Sequence, residues 1–121
     1  MQSHPLVTVV IPSFNHAAYI DVAVESVLAQ TYPEIELVIV DDGSTDNSHD
    51  VIRKYEHHPQ VTIILNTENA GQSAVLNQAL AVAKGEFVAF LPSDDWYLPH
   101  KTEVQVEKFK NSSYSVGVVY A

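Results

Sequence analysis

Apolar residues gather in five short runs, at residues 6–11, 35–40, 61–65, 87–91 and 115–120, and the segments between them keep a different rhythm. The first run, Leu6-Val7-Thr8-Val9-Val10-Ile11, is β-branched and lacks the polar alternation of a half-wet strand. It predicts a strand buried on both faces, as does the second run. Pro12 is expected to end the first strand, because proline removes a ladder donor. Ile20, Ala23, Val24, Val27 and Leu28 then recur at helical spacing, with Asn15 as a candidate cap and Pro33 as the stop. Residues 46–57 carry caps and charges suited to a second helix, with Val51, Ile52 and Tyr55 facing inward. Residues 71–84 predict an Ala-rich third helix with Val75, Leu76, Ala79, Leu80 and Ala83 as its apolar face, closed by Gly85. Pro99 opens a more polar helix reaching about residue 110.

Strands alternating with helices at this spacing predict βαβ units on a parallel sheet. The expected fold class is therefore α/β, a three-layer sandwich around a mostly parallel, Rossmann-like sheet, in one domain over residues 1–121. The two ends of that sheet differ in composition. Loops after strands read Pro12-Ser13-Phe14-Asn15-His16, Asp41-Asp42-Gly43-Ser44, residues 66–72, and Pro92-Ser93-Asp94-Asp95-Trp96. Loops leading back into strands are bland: Tyr32-Pro33-Glu34, His58-Pro59-Gln60 and Lys84-Gly85-Glu86. Chemistry-bearing residues thus collect at the carboxyl end, where open α/β sheets bind ligands.

Charge narrows the choice of ligand. Fifteen acidic against six basic side chains give a net charge of −9, which lacks the electrostatic footprint for a nucleic-acid backbone or an anionic bilayer. A phosphorylated small molecule remains compatible if a cation bridges the like charges. The absence of cysteine excludes thiolate catalysis, disulfides and cysteine-ligated zinc. No signal peptide is visible at the start, and no apolar run approaches the roughly 20 residues that span a bilayer. A cytoplasmic location is the expectation.

Two strands end in paired carboxylates, Asp41-Asp42 and Asp94-Asp95. Adjacent carboxylates repel each other and resist dehydration, so such pairs beside a core point to a hard metal ion, a polar ligand or an acid–base step. Asp41 and Asp42 could accept hydrogen bonds from a base or ribose. A turn and helix cap is the plainer role, and it suits Asp41 and Ser44 better than Asp42. Asp94 and Asp95 fit Mg²⁺ or Mn²⁺, which takes its remaining oxygens from phosphates and water; the plainer role is a cap before Pro99. Asn69-Ala70-Gly71-Gln72-Ser73 offers an anion cradle at a helix start, or a mere glycine turn, and matches neither the Walker nor the dinucleotide pattern. Phe14 and Trp96 could stack on a flat or sugar-like ligand, or edge the core. The histidines (His4, His16, His49, His57, His58 and His100) predict no metal site, and His57-His58 reads as solvated turn.

Several segments together resemble a known family. Val9-Val10-Ile11-Pro12-Ser13-Phe14-Asn15, Ser26-Val27-Leu28-Ala29-Gln30-Thr31-Tyr32-Pro33 and Glu36-Leu37-Val38-Ile39-Val40-Asp41-Asp42-Gly43-Ser44-Thr45-Asp46 resemble the opening of the family 2 glycosyltransferases of GT-A fold. Asn69-Ala70-Gly71, Asn77 and Lys84-Gly85-Glu86-Phe87-Val88-Ala89-Phe90-Leu91-Pro92-Ser93-Asp94-Asp95 match later motifs in order and spacing, so the resemblance covers essentially the whole chain. It implies transfer of a sugar, with inversion, from a nucleotide-diphospho-sugar (commonly a UDP-sugar) to a saccharide or lipid-linked acceptor, as in cell-surface polysaccharide biosynthesis. By this resemblance Pro12, Phe14 and Asp42 hold the base, and Asn15, Asp41, Asn69 and Gly71 belong to the same nucleotide-sugar site. Asp94 contacts ribose or sugar and joins Asp95 on the metal, Mn²⁺ or Mg²⁺. That metal would neutralise the leaving diphosphate.

Three departures qualify the match. Pro92 stands where the DXD-like motif often begins with Asp, and Leu76 stands where Arg often precedes the helix asparagine. In the family, the acceptor half and the catalytic base lie beyond the position of Ala121. The chain is therefore expected to be a truncated, N-terminal, donor-binding part of a longer enzyme, with no assignable base. Alternatives are a non-catalytic GT-A-like binding or assembly module and a phosphoacceptor receiver domain. The receiver needs a lone Asp after the third strand and a Lys after the fifth, where this chain has Leu65-Asn66 and Tyr120-Ala121. A homodimer through an exposed sheet edge, and a peripheral membrane association of the longer protein, complete the expectations.

Overall fold

The computed structural model describes residues 5–93 together with 102, 106 and 118–120. Strands and helices alternate as β1 (Val7–Ser13), α1 (Ala17–Leu28), β2 (Ile35–Asp42), α2 (Ser48–Arg53), β3 (Val61–Asn66), α3 (Gln72–Val82), β4 (Phe87–Phe90) and β5 (Val118–Tyr120). The strands form one sheet in the order β3-β2-β1-β4-β5, and every neighbouring pair is parallel. The α/β class expected from the sequence is the class observed.

Successive strand residues face opposite layers. Val9, Ile11, Leu37 and Ile39 pack with Ile20, Val24, Val27 and Ile52 from α1 and α2. Val10, Val38 and Val40 pack with Val75 and Ala79 from α3. Both parities are therefore apolar, which is why β1 and β2 show no polar alternation. Each of the Val, Leu and Ile side chains contributes about 1.5–3 kcal/mol relative to exposure. Among the described residues, no helix is long and apolar enough to cross a membrane.

Polar groups close the amino end of the sheet. Thr8 is fully buried; its Oγ1 donates to Glu36 Oε2 at 2.8 Å and accepts the Gly85 N–H at 3.0 Å. Glu36 Oε2 also accepts the Lys84 N–H at 2.6 Å. Gly85 thus serves close approach rather than helix closure, since a Cβ there would sit 2.6 Å from the Thr8 backbone nitrogen.

Several expected boundaries move. Pro12 does not end β1, which runs on to Ser13 with Pro12 opposite Val40. The β1–β4 register stops at Val10 and Phe90, followed by a Leu91 N–H bond to the Val10 carbonyl, so the donor that proline lacks falls beyond that ladder. Asn15 does not cap α1: its φ is 55°, the cap position is His16, and Asp46 supplies the acceptor instead. Asp46 Oδ2 takes the Ala17 N–H at 3.2 Å while its Oδ1 takes the Ser48 N–H at 2.9 Å, tying together the starts of α1 and α2. α1 ends at Leu28, ahead of Pro33, with the Gln30 amide on the Ser26 carbonyl.

α2 is shorter than residues 46–57 because its continuation tightens into three-residue bonds, Tyr55 to Ile52, Glu56 to Arg53 and His58 to Tyr55. α3 begins after Gly71, its cap, and ends at Val82 as Ala83 turns extended. Leu80, expected on the apolar face of α3, is 42% exposed. The helix expected after Pro99 lies outside the described residues except for Thr102 and Val106, which are helical and buried.

Candidate functional site

β1 leads to β2 and β2 to β3, but β4 returns to the other side of β1. Where the order reverses, the loops after β1 and β4 part and leave a crevice at the carboxyl ends of the strands. A cavity of about 560 Å³ opens there. Ser13, Phe14 and His16 line it from the β1 loop, Asp42 from β2, Pro92 and Ser93 from the β4 loop, and Gln72 and Leu76 from α3. A second cavity of about 430 Å³ lies against Arg53, Glu56, Ile63 and Leu65 and contains none of the predicted site residues.

The first aspartate pair splits between two tasks. Asp41 is fully buried, and its carboxylate is consumed within the protein. Oδ1 accepts the Ser44 N–H at 2.8 Å and meets His49 Nε2 at 2.8 Å, while Oδ2 accepts the Ser44 hydroxyl at 2.6 Å. The order is imidazole, carboxylate, hydroxyl. A hydrolytic triad places the imidazole in the middle, so this arrangement braces a loop and does not activate a nucleophile. Asn15 extends the brace: its N–H donates to Ser44 Oγ and its Oδ1 accepts the Thr45 N–H, both at 2.8 Å.

Asp42 lines the cavity and is 7% exposed. Its Oδ1 accepts the Ala70 N–H at 2.7 Å and the Asn66 amide at 3.3 Å, and its Oδ2 accepts the Gly71 N–H at 3.0 Å. The N–H groups read from sequence as an anion cradle thus receive a protein carboxylate. Gly43 makes the loops meet: its φ is +78°, and a Cβ there would lie 2.5 Å from the Glu68 carbonyl carbon. Asn69, exposed, follows directly.

Across the crevice, His16 Nδ1 and Ser93 Oγ are 2.7 Å apart, joining the loops after β1 and β4. The Tyr19 ring meets the His16 ring edge-on at 6.0 Å. Phe14 is 43% exposed at the cavity wall, able to offer a face to a planar ligand. His16, Asn66 and Gln78 are missing from the sequence-predicted site. His16 and Asn66 carried a signal, since both belong to loops after strands. Gln78 carried none, being one polar residue on a helix.

Residues 8–121 match the family described as glycosyl transferase family 2. The chain belongs to that family. An uncharacterized glycosyltransferase of Nostoc sp. (strain PCC 7120) is 47% identical over 115 residues, which are 94% of this chain and 35% of that protein. The mannosyltransferase PcManGT from Pyrobaculum calidifontis, in complex with GDP-Man and Mn²⁺, matches with a TM-score of 0.80 at 32% identity, over 92% of this chain and 34% of that one. S. aureus TarS 1-349 in complex with UDP matches with a TM-score of 0.78 at 30% identity, over 87% and 32%. The family 2 chain thus has the GT-A fold of these structures and spans about a third of the length of each relative.

Within this family 2 chain, no group of three or more Asp, Glu or His among the described residues is placed to hold a metal. Asp94, Asp95 and Trp96 lie outside the described residues. The aspartates follow in sequence on Ser93, which lines the cavity. Two carboxylates, with diphosphate oxygens to complete the shell, are a donor set that suits Mg²⁺ or Mn²⁺.

Proposed function

We propose that this chain is the donor-binding part of an inverting, metal-assisted glycosyltransferase acting on a nucleotide-diphospho-sugar. The observation that carries the reading is the cavity at the strand-order reversal, where Asp42, Phe14 and Ser93 converge. Phe14 stacks on the base, Pro12 shapes the wall beside it, and Asp42 accepts an N–H from the base edge. Asn15, Asp41, Asn69 and Gly71 frame the nucleotide site, with Asp41 acting through Ser44 and Gly71 through Asp42. Asp94 and Asp95 would hold the divalent ion on the diphosphate. Such an ion supplies charge neutralisation of the leaving group. The UDP and GDP-Man seen in the two structural relatives support a nucleotide donor, and the resemblance favours a UDP-sugar.

The acceptor, saccharide or lipid-linked, and the base that deprotonates it are assigned to the rest of a longer enzyme, a reading supported by the chain's spanning about a third of these relatives. A cytoplasmic position belongs to the same proposal. A second reading, a binding module without catalysis, draws on Pro92 and Leu76, two apolar residues on the cavity wall where the family often carries charge.

A thermal-shift screen tests the proposal, because a ligand of the native state raises apparent stability. UDP or GDP with Mn²⁺ should raise the melting temperature, and EDTA or Asp95→Ala should remove most of the rise. No response to any nucleoside diphosphate would contradict it.

A further inference from the structure

Asn66 ends β3 and Gln78 lies on α3, and their side chains form a reciprocal amide pair. The Asn66 amide nitrogen donates to Gln78 Oε1 at 2.9 Å, and the Gln78 amide nitrogen donates to Asn66 Oδ1 at 2.8 Å. The same Asn66 nitrogen reaches Asp42 Oδ1 at 3.3 Å. Turning both amides over would preserve the pair but would set the Asn66 carbonyl oxygen against the Asp42 carboxylate. The charge therefore selects one orientation of the pair, and the pair in turn holds a donor against one carboxylate oxygen.

A carboxylate has about four lone-pair directions. Among the described residues, Oδ1 receives two donors, from Ala70 and Asn66, and Oδ2 receives one, from Gly71. The remaining direction is on Oδ2, in a side chain that lines the crevice. We infer that Asn66 and Gln78 are positioning residues that saturate Oδ1 and so present the free lone pair of Asp42 Oδ2 to the imino N–H of the nucleobase. This rests on the proposed role of Asp42 as the base acceptor. It makes a residue of α3 a determinant of base recognition without contact to the ligand.

The test compares a nucleotide with its imino-methylated form, using calorimetry on the 121-residue chain with Mn²⁺. The nucleotide is whichever of UDP and GDP binds more tightly, set against N3-methyl-UDP or N1-methyl-GDP. Wild type should prefer the unmethylated ligand by about tenfold or more, the value of a hydrogen bond to a charged acceptor. Gln78→Met and Asn66→Ala should each cut that ratio to about threefold or less, and the double variant should lose little more, as expected of one coupled unit. Methionine is a strong helix former at a half-exposed site, so Gln78→Met keeps α3 intact. A purely structural loosening would weaken both ligands alike and leave the ratio unchanged. A full wild-type ratio retained in both variants overturns the inference alone. A wild-type ratio near one, or no binding of either nucleotide, overturns the role of Asp42 and the inference with it.

Discussion

Asp41 and Asp42 are neighbours in the chain, yet their carboxylates belong to different layers. Asp41 shares the parity of Leu37 and Ile39 and bonds His49 on α2; Asp42 shares that of Val38 and Val40 and bonds the loop before α3. The period of two makes one of them a brace and the other a wall of the crevice. Asp41→Ala should leave the Ser44 N–H and the Ser44 hydroxyl proton without an acceptor and cost about 1–3 kcal/mol in urea unfolding. Asp42→Ala leaves the Ala70 and Gly71 N–H groups unpaired in the same way, and should in addition cost nucleotide affinity, about tenfold or more by calorimetry. The aspartate pair was visible in the sequence, and so was the leaning of Asp41 and Ser44 towards a turn. The His49 partner was not, because a histidine on a helix says nothing about which carboxylate lies beside it.

At the level of elements, loop-to-loop contacts join the carboxyl ends of the strands around the crevice. Gly43 lets the loop after β2 touch the loop after β3, at a positive φ and with Glu68 backbone where a side chain would go. Gly43→Ala should therefore destabilise the chain by about 2 kcal/mol or more and weaken nucleotide binding, since strain and overpacking coincide. Charge ties α1 to α2. The Lys54 ammonium and then the Tyr55 hydroxyl, both bonded to Asp21, hold that carboxyl below its usual value, and the Ser48 hydroxyl does the same for Asp46. Burial, then Asp21, pushes the Tyr55 hydroxyl up. An Asp whose folded pKa is depressed contributes stability above its unfolded pKa and loses it as pH falls through the folded value. Stability should thus fall below about pH 4, and Asp21→Asn with Asp46→Asn should flatten that acid limb in denaturant melts at several pH values. Neither link was legible beforehand, because each joins residues about 30 apart in sequence.

For the whole molecule, the sheet and its two helical layers were readable from apolar runs and helical spacing, and the end carrying the chemistry was readable from loop composition. Pro12 is a misleading signal because proline commonly breaks strands, whereas its position past the last β1–β4 rung makes it harmless. The cap of α1 misled because the acceptor came from Asp46, a residue on another loop. What sequence order could not supply was the strand order, and with it the crevice between β1 and β4. That crevice is the centre of the functional account, so the location of binding tests it most directly. Backbone amide NMR of the chain titrated with UDP and Mn²⁺ should perturb Phe14, His16, Asp42, Gly71, Gln72 and Ser93 while leaving Arg53 and Leu65 still. Perturbations centred on α2 and β3, or none at saturating nucleotide, would contradict it.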